Sequence, residues 1–398
     1  MALFSLREYP LAGKIVLLRV DFNVPLENGN VADNNRIKAT LPTIHHLVEQ
    51  GCTVILLTHL GKPGGKVVSS LRLDPVATEL QQLLPDSQII KLNDCIGKDI
   101  QDRIKKKKPP EIFLLENLRF YAQEEQNNPI FAHALASLAE MYVNDAFAVS
   151  HRQHASVDTI TRFLPAFAGL LMEKEITYLR KALHPERPSI WLMGGAKLDK
   201  VDLLQQALRK ADNVLIGGAL AFPFLKAQGL PVGLSKCSSQ SVEIVQKLLQ
   251  HHPKKIILPV DFVVAESFSS RASAQVVTYN RIQHQQIALD LGPETIKLFK
   301  RYLRKGQTIV WNGPLGYFEW VKFSQATKEI GRFIGSLTAT SIVGGGETAE
   351  AMRKFHLDHT FTHLSTGGGA ALEFLAGKTL PGIAALERSY KKFRKIYR

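Results

Sequence analysis

The sequence predicts an α/β protein: two doubly wound parallel-sheet domains joined by an interdomain helix. Three observations carry this. Apolar runs of strand length alternate with amphipathic helical patterns along almost all of the 398 residues. The runs are continuous rather than alternating, as strands buried on both faces require, and such strands belong to parallel sheets covered by helices. The chain is also too long for one ordinary core, so two domains of roughly 200 residues each are expected.

In the first half the strand candidates are KIVLLRVDFN (14–23), TVILLTH (53–59), EIFLLEN (111–117) and MYVNDAF (141–147). In the second they are SIWLMGG (189–195), NVLIGG (213–218), KIILPVD (255–261), TIVWNG (308–313), TSIVGGG (340–346) and FTHLSTG (361–367). Between the halves, residues 162–188 carry helical spacing at Leu170, Leu171, Ile176, Leu179 and Leu183 and end before Pro185 and Pro188. This stretch reads as the interdomain helix, assigned to 168–184. The first domain then spans 1–167 and the second 185–379.

Composition narrows the setting. Hydrophobic residues make up 45% and charged residues 22%, the balance of a soluble globular protein. No apolar run reaches the ~18 residues of a membrane span and the N-terminus lacks a signal-peptide core, so a cytoplasmic protein without membrane attachment is expected. Cys52, Cys95 and Cys237 are far apart and odd in number, which encodes neither a disulfide framework nor a zinc cluster. The net charge of +14 favours anionic partners without naming one. Part of it is local, in Lys105, Lys106, Lys107 and Lys108 and in the six basic residues of 388–398.

Four strand-to-helix junctions are glycine-rich: WLMGGAKLDK (191–200), VLIGGALAF (214–222), IVWNGPLGYFE (309–319) and IVGGGETA (342–349). Glycines there let backbone N–H groups at helix starts face an anion with no Cβ in the way. A single pair of this kind only makes a tight turn; four converging in one domain point to a polyphosphate site.

In open α/β sheets, ligands sit beyond the carboxyl ends of strands. In the first half those positions hold Asp21 and Asn23, His59 and Lys62, Asn117 and Arg119, and Asp145, with Arg152 shortly after and Arg36 opening the helix that follows the first strand. Guanidinium forks bind carboxylate and phosphate bidentately, so this set suits a small substrate carrying both, with Asp21 and Asn23 placed to accept from a substrate hydroxyl. Each residue also has a structural reading: Asp21 and Asn23 as turn closers, His59 as a satisfied strand-end histidine, Arg119 and Arg152 as surface cations. Their shared location favours the site.

Other motifs lead nowhere. His356, His359 and His363 match no catalytic-metal spacing, Leu372 occupies the first glycine position of a P-loop ending at Gly377-Lys378-Thr379, and the G-x-G-x-x-G of a hydride-transfer enzyme is absent.

RVDFNVP with DNNRI, THLGKP, LLENLRF, VNDAFAVSHRQHAS, GGAKLDK, LPVDFVVA, LDLGPET, TIVWNGPLGYFE, SIVGGGETA and HLSTGGGAALEFLAGKTLPGI run in order from residue 14 to 386. Together they resemble the phosphoglycerate kinase family over nearly the whole chain. The resemblance implies a bilobal, hinge-closing cytoplasmic monomer that moves a phosphoryl group reversibly between 1,3-bisphosphoglycerate and ADP, giving 3-phosphoglycerate and ATP, with Mg2+ and no obligatory protein partner. It implies a substrate site at Asp21, Phe22, Asn23, Arg36, His59, Leu60, Gly61, Lys62, Arg119 and Arg152. The nucleotide site would comprise Lys197, Lys200, Asn312, Pro314, Glu319, Gly345, Gly346, Glu347 and Thr348, with Glu347 serving the metal. Arg36, Lys197 and the amides of Gly367, Gly368 and Gly369 would stabilise the transferring group, and residues 380–398 would pack back on the first domain.

Four departures stand out. Lys62 replaces an arginine, GGAKLDK is one residue shorter between its lysines than the family pattern, Glu347 replaces an aspartate, and SYKKFRKIYR extends the usual end. They motivate two alternatives: a catalytically impaired relative kept as an anion-binding protein, and weak nucleic-acid or membrane-surface binding through the basic tail. No helix-turn-helix or RNA-reading signature accompanies the charge.

Overall fold

A computed structural model describes residues 2–9, 11–107, 111–195 and 201–396. Its contacts divide the chain into two units, 1–176 with 379–398, and 177–378.

The first unit is built on a seven-stranded sheet in the order Phe4–Ser5, Ala166–Ala168, Met141–Asn144, Ile15–Arg19, Thr53–Leu57, Glu111–Leu114, Gln88–Lys91. Every pairing is parallel. The central strands Thr53–Leu57 and Met141–Asn144 are buried along their whole length, which is why they read as unbroken apolar runs. The helix Pro381–Phe393 belongs to this unit. Tyr390 and Phe393 pack against its core, the Tyr390 ring lies 4.9 Å from that of Phe4, Ser389 Oγ accepts from Ala166 N–H at 2.9 Å, and Arg388 pairs with Asp158. The tail docks on this unit through Tyr390 and Phe393.

The second unit holds a six-stranded sheet, Ile256–Ile257, Asn213–Ile216, Ser189–Met193, Thr308–Asn312, Thr340–Gly344, His363–Leu364, again parallel throughout. It also carries an antiparallel sheet in the order Gln275–Thr278, Asp261–Ala265, Ile287–Leu291. The segment 255–261, expected to be one parallel strand, divides between the two. Its parallel part is only Ile256–Ile257, and Leu258, Pro259 and Val260 separate it from the second sheet.

The connecting helix is Leu170–Leu183. It starts later than the helical reading of 162–188, because Thr159–Arg162 forms a 3-10 turn and Ala166–Ala168 adds a strand to the first sheet.

Candidate functional site

In the first unit, four neighbouring strands end on one group of charges. Asp21 follows Ile15–Arg19, and its Oδ2 accepts from Arg36 Nη1 at 2.5 Å. Arg36 stands in the first turn of the helix Asn35–Glu49 with 39% of its side chain exposed, so the rest of its fork stays open. Asn23 Oδ1 accepts from Gly61 N–H at 2.8 Å and so ties the first loop to the second instead of offering that oxygen freely. Phe22 and Leu60 bury their side chains in the core, and Phe22 N–H donates to Thr58 Oγ1 at 2.9 Å.

His59 is 2% exposed, with its Nδ1 3.4 Å from Arg19 Nη2. Burial, then the charges of Arg19, Arg119, Arg152 and His154, hold its pKa well below the usual histidine value. The ring is therefore neutral. A guanidinium only donates, so Nδ1 accepts and Nε2 carries the hydrogen. The 3.9 Å approach of Nδ1 to Asp21 Oδ1 is accordingly no ion pair.

Arg119, also 2% exposed, donates from Nη1 to Gly61 O at 2.8 Å and lies 3.2 Å from Glu125 through Nε. Its Nη2 is buried without a hydrogen-bond partner. Burial lowers its pKa against the pull of Glu125, and Arg152 and Arg19 push the same way as burial. Arg152 is half-buried and donates from Nε to His151 Nε2 at 3.3 Å. Lys62 is exposed. A buried donor among like charges is relieved by an anion, which is what this end of the sheet can hold.

Sequence reasoning named Asn117 but missed the rest of the scaffold behind these groups. Arg19 is buried and donates from Nε to Ser156 Oγ at 2.8 Å, and Ser156 bonds Glu124 through Oγ at 2.6 Å and N–H at 3.0 Å. Glu124 is fully buried, which pushes its carboxyl pKa up. Asn117 accepts from the N–H groups of Leu60 and Arg119 at 3.2 and 3.1 Å and donates to Leu60 O and Leu71 O at 2.8 and 2.9 Å, fixing both loops. The available signal was a charged residue, Arg19, inside an apolar strand. Asp145 does not join the charge group, although it too follows a strand end; its carboxylate turns to the connecting helix.

In the second unit the glycine loops lie against one another. Gly194 N–H donates to Asn312 O and Gly195 N–H to Pro314 O, both at 2.8 Å. A Cβ on Gly194 would overlap Pro314 O, and one on Gly313 would overlap Gly194 O. These two glycines serve close backbone packing rather than an exposed anion cradle. Asn312 Nδ2 donates to Gly344 O, and Gly313 N–H donates to Thr348 Oγ1, each at 2.7 Å, so Asn312 and Thr348 brace the loops from within. The expected helix start after Asn312 is absent: a 3-10 turn at Val321–Phe323 precedes the helix Gln325–Gly335. Gly345, at φ 96°, turns the chain into the helix Gly346–Lys354. Gly346 is exposed, and Gly367 precedes the helix Gly368–Leu375, where a Cβ on Gly368 would meet nothing within 4 Å. At these two starts the backbone is open. Lys197 and Lys200 lie outside the described residues.

Beside the loops lies a cavity of about 510 Å³, lined by Gly195, Gly218, Phe222, Phe262, Leu289, Leu291, Pro314 and Leu315, with Glu319, Glu347 and Lys236 also on its wall. Two strands of the antiparallel sheet, Asp261–Ala265 and Ile287–Leu291, contribute to its lining, and Phe268 packs its ring 4.9 Å from Tyr317 and 4.7 Å from Trp320. Such a slot takes a flat heteroaromatic group, with charged groups confined to its edge. Asp290, also on the wall, has its carboxyl pKa pushed up to about 7 by burial, although the amides of Ala326 and Leu291 hydrogen-bond it.

Among the described residues no cluster of three or more His, Cys, Asp or Glu forms a metal site. Glu347 presents one exposed carboxylate in the first turn of Gly346–Lys354. That fits Mg2+, which binds through one or two carboxylates plus substrate phosphates and waters rather than a protein cage.

Comparison with known proteins bears on both halves. A family profile described as phosphoglycerate kinase matches residues 6–378. A phosphoglycerate kinase of Moorella thermoacetica is 48% identical over 97% of this chain and 99% of its own, and one of Dictyoglomus turgidum is 45% identical over 97% and 98%. The solved phosphoglycerate kinase of Coxiella burnetii superposes with a TM-score of 0.88 at 37% identity, covering 97% of this chain and 99% of that one. That of Pyrococcus horikoshii gives 0.84 at 34% identity, covering 98% and 100%.

Proposed function

Since the chain belongs to the phosphoglycerate kinase family, we propose that its first unit holds the glycerate substrate, its second holds ADP or ATP, and the two close together for transfer. The reaction is phosphoryl transfer with a carboxyl group as acceptor, a step of glycolysis. The observation that carries the division of labour is the group of Arg36, His59, Arg119 and Arg152 beyond four adjacent strand ends, against an apolar slot in the other unit.

In the glycolytic direction the bond from phosphorus to the acyl oxygen of 1,3-bisphosphoglycerate breaks. A bond from the β-phosphate oxygen of ADP forms in line, leaving the carboxylate of 3-phosphoglycerate. No covalent intermediate on the protein is needed, so positioning and cationic stabilisation do the work. Arg119, Arg152 and neutral His59, which donates from Nε2, hold the non-transferring phosphate and glycerate end, with Lys62 at the rim. Arg36, anchored by Asp21, reaches toward the transferring group, joined by Lys197 and the amides at Gly367, Gly368 and Gly369. Asn312, Gly345 and Thr348 keep the nucleotide loops in place, Pro314 and Glu319 border the base and sugar, and Lys200 with the amide of Gly346 approaches the phosphates. Glu347 would hold Mg2+ on the protein side, directly or through water, and the ion would supply charge neutralisation at the phosphate oxygens. Closure excludes the water that would hydrolyse the acyl phosphate.

We place the enzyme in the cytoplasm as a monomer needing no protein partner, with 1–167 and 380–398 as the glycerate domain, 168–184 as the connecting helix and 185–379 as the nucleotide domain. The test is a coupled assay for ATP formation from 1,3-bisphosphoglycerate with magnesium. Saturable turnover is expected, and anion binding without turnover would establish the impaired relative instead.

A further inference from the structure

Asp145 is fully buried at the end of the strand Met141–Asn144 and is not part of the charge group. Its Oδ1 accepts from Met172 N–H at 3.0 Å, in the first turn of the connecting helix Leu170–Leu183. Gly169 passes so close that an added Cβ would overlap the carboxylate. Leu170 N–H, two residues before Met172, donates to Thr43 Oγ1 at 3.0 Å. Thr43 is fully buried in the helix Asn35–Glu49, seven residues or about two turns after Arg36. The first N–H groups of any helix lack intrahelical partners. Here two of them are taken by side chains from two other elements.

Both elements also serve the glycerate site. Asn35–Glu49 carries Arg36, and Asp145 N–H donates to Arg19 O at 2.9 Å, at the end of the strand that leads into Asp21. The connecting helix then passes from the first unit into the second after Ile176. There its Tyr178 ring stacks on His363 at 4.9 Å with an interplanar angle of 11°.

We propose that Thr43 and Asp145 are positioning residues for the transfer, a two-point clamp through which the helix bearing Arg36 and the adjoining sheet set the direction of the connecting helix. Neither touches substrate. A displacement of Asn35–Glu49 when glycerate binds is passed at Thr43 to the helix start, while Asp145 serves as the fixed point about which that start turns. The proposal rests on the closure reading above. A clamp that acts on closure lowers kcat, and KM moves with it, while the Kd of the free protein for 3-phosphoglycerate alone is kept.

The experiment uses the full chain. Thr43→Val removes the hydroxyl at nearly constant volume, and Asp145→Ala removes the acceptor; Thr43→Ser and Asp145→Asn each keep one. Measured are kcat, both KM values, the calorimetric Kd for 3-phosphoglycerate, and the radius of gyration with and without both substrates. Thr43→Val and Asp145→Ala are expected to lower kcat roughly tenfold with the 3-phosphoglycerate Kd within about twofold, while Thr43→Ser and Asp145→Asn stay within about twofold of the parent kcat. The double variant should fall less than the product of the single effects, because both contacts hold one helix end. Unchanged kcat in Thr43→Val and Asp145→Ala overturns the clamp. So does a kcat loss matched by an equal loss of 3-phosphoglycerate affinity. If Asp145→Ala does not fold, Thr43→Val against Thr43→Ser decides alone. A parent protein that fails to contract with both substrates overturns the closure reading; contraction in the parent with unaffected variants overturns only the clamp.

Discussion

The first unit ends its strands on charged side chains, and the second lines its glycine loops with main chain. Around Arg119 and His59 the polar groups are buried, charged or polarised, and wired to one another through Arg19, Ser156, Glu124 and Asn117. Around Gly194 and Gly313 the walls are backbone and apolar rings, and the polar side chains Asn312 and Thr348 are occupied in holding loops together. The difference teaches what each half can tolerate. A low-dielectric charge network is sensitive to the shape and charge of single side chains. A backbone-built slot is sensitive to any added carbon, and indifferent to most changes at its rim.

The largest effect that would break this comparison is at Arg36. Arg36→Ala is expected to lower kcat by about 10²–10³, far more than it raises the nucleotide KM, as loss of a transition-state contact requires. Steady-state kinetics showing only weaker 3-phosphoglycerate binding would demote it to a substrate clamp. Arg119→Lys keeps the charge and loses the fork, so the 3-phosphoglycerate KM should rise about 10- to 100-fold with the nucleotide KM unmoved. Equal shifts in both constants would mean that the halves are not separable.

On the nucleotide side, Glu347→Gln should raise the magnesium needed for half-maximal activity several-fold, read from a magnesium titration at fixed nucleotide. An unchanged profile removes Glu347 from the metal and leaves the kinase reading intact. Gly313→Ala should cost about 1–3 kcal/mol by forcing the overlap with Gly194 O, seen as a lower melting temperature with affinity for ADP falling before affinity for 3-phosphoglycerate. The smallest effect is a change of slope. Burial, with Arg19, Arg119 and Arg152, holds His154 at about 3 when folded, below its unfolded value near 6.5. The unfolded chain therefore binds more protons in that interval, and stability present above pH 6.5 drains away as pH falls toward 3. His154→Gln should flatten that limb of a melting-temperature profile, and an unaltered limb would show that His154 is not among the groups that drive it.

Much of the fold was legible because burial on both faces writes itself as unbroken apolarity, as in TVILL and SIWLM. The antiparallel sheet escaped for the same reason. Four of the five residues of Asp261–Ala265 are buried, so the strand showed no alternation to distinguish it from a parallel one. The arginines of the first site were visible as charges beyond strand ends, but their wiring was not, since Ser156 and Glu124 meet Arg19 across more than 100 positions of sequence. Asp145 was misplaced because a strand end is equally the neighbour of the next helix start. Asn312 and Thr348 carried the family pattern, yet spacing alone gives no sign that they bond each other's loops.

The helix Pro381–Phe393 reaches the first unit only after the chain has traversed the second. During synthesis, a nascent chain that has emerged as far as Lys378 contains every residue of the second unit, while the earlier-made first unit still lacks Tyr390 and Phe393 against its core and the Ser389 hydroxyl for Ala166. The half translated first is therefore the half completed last. A chain released between Lys378 and Ser389 would carry every residue of the second unit and lack part of the core of the first.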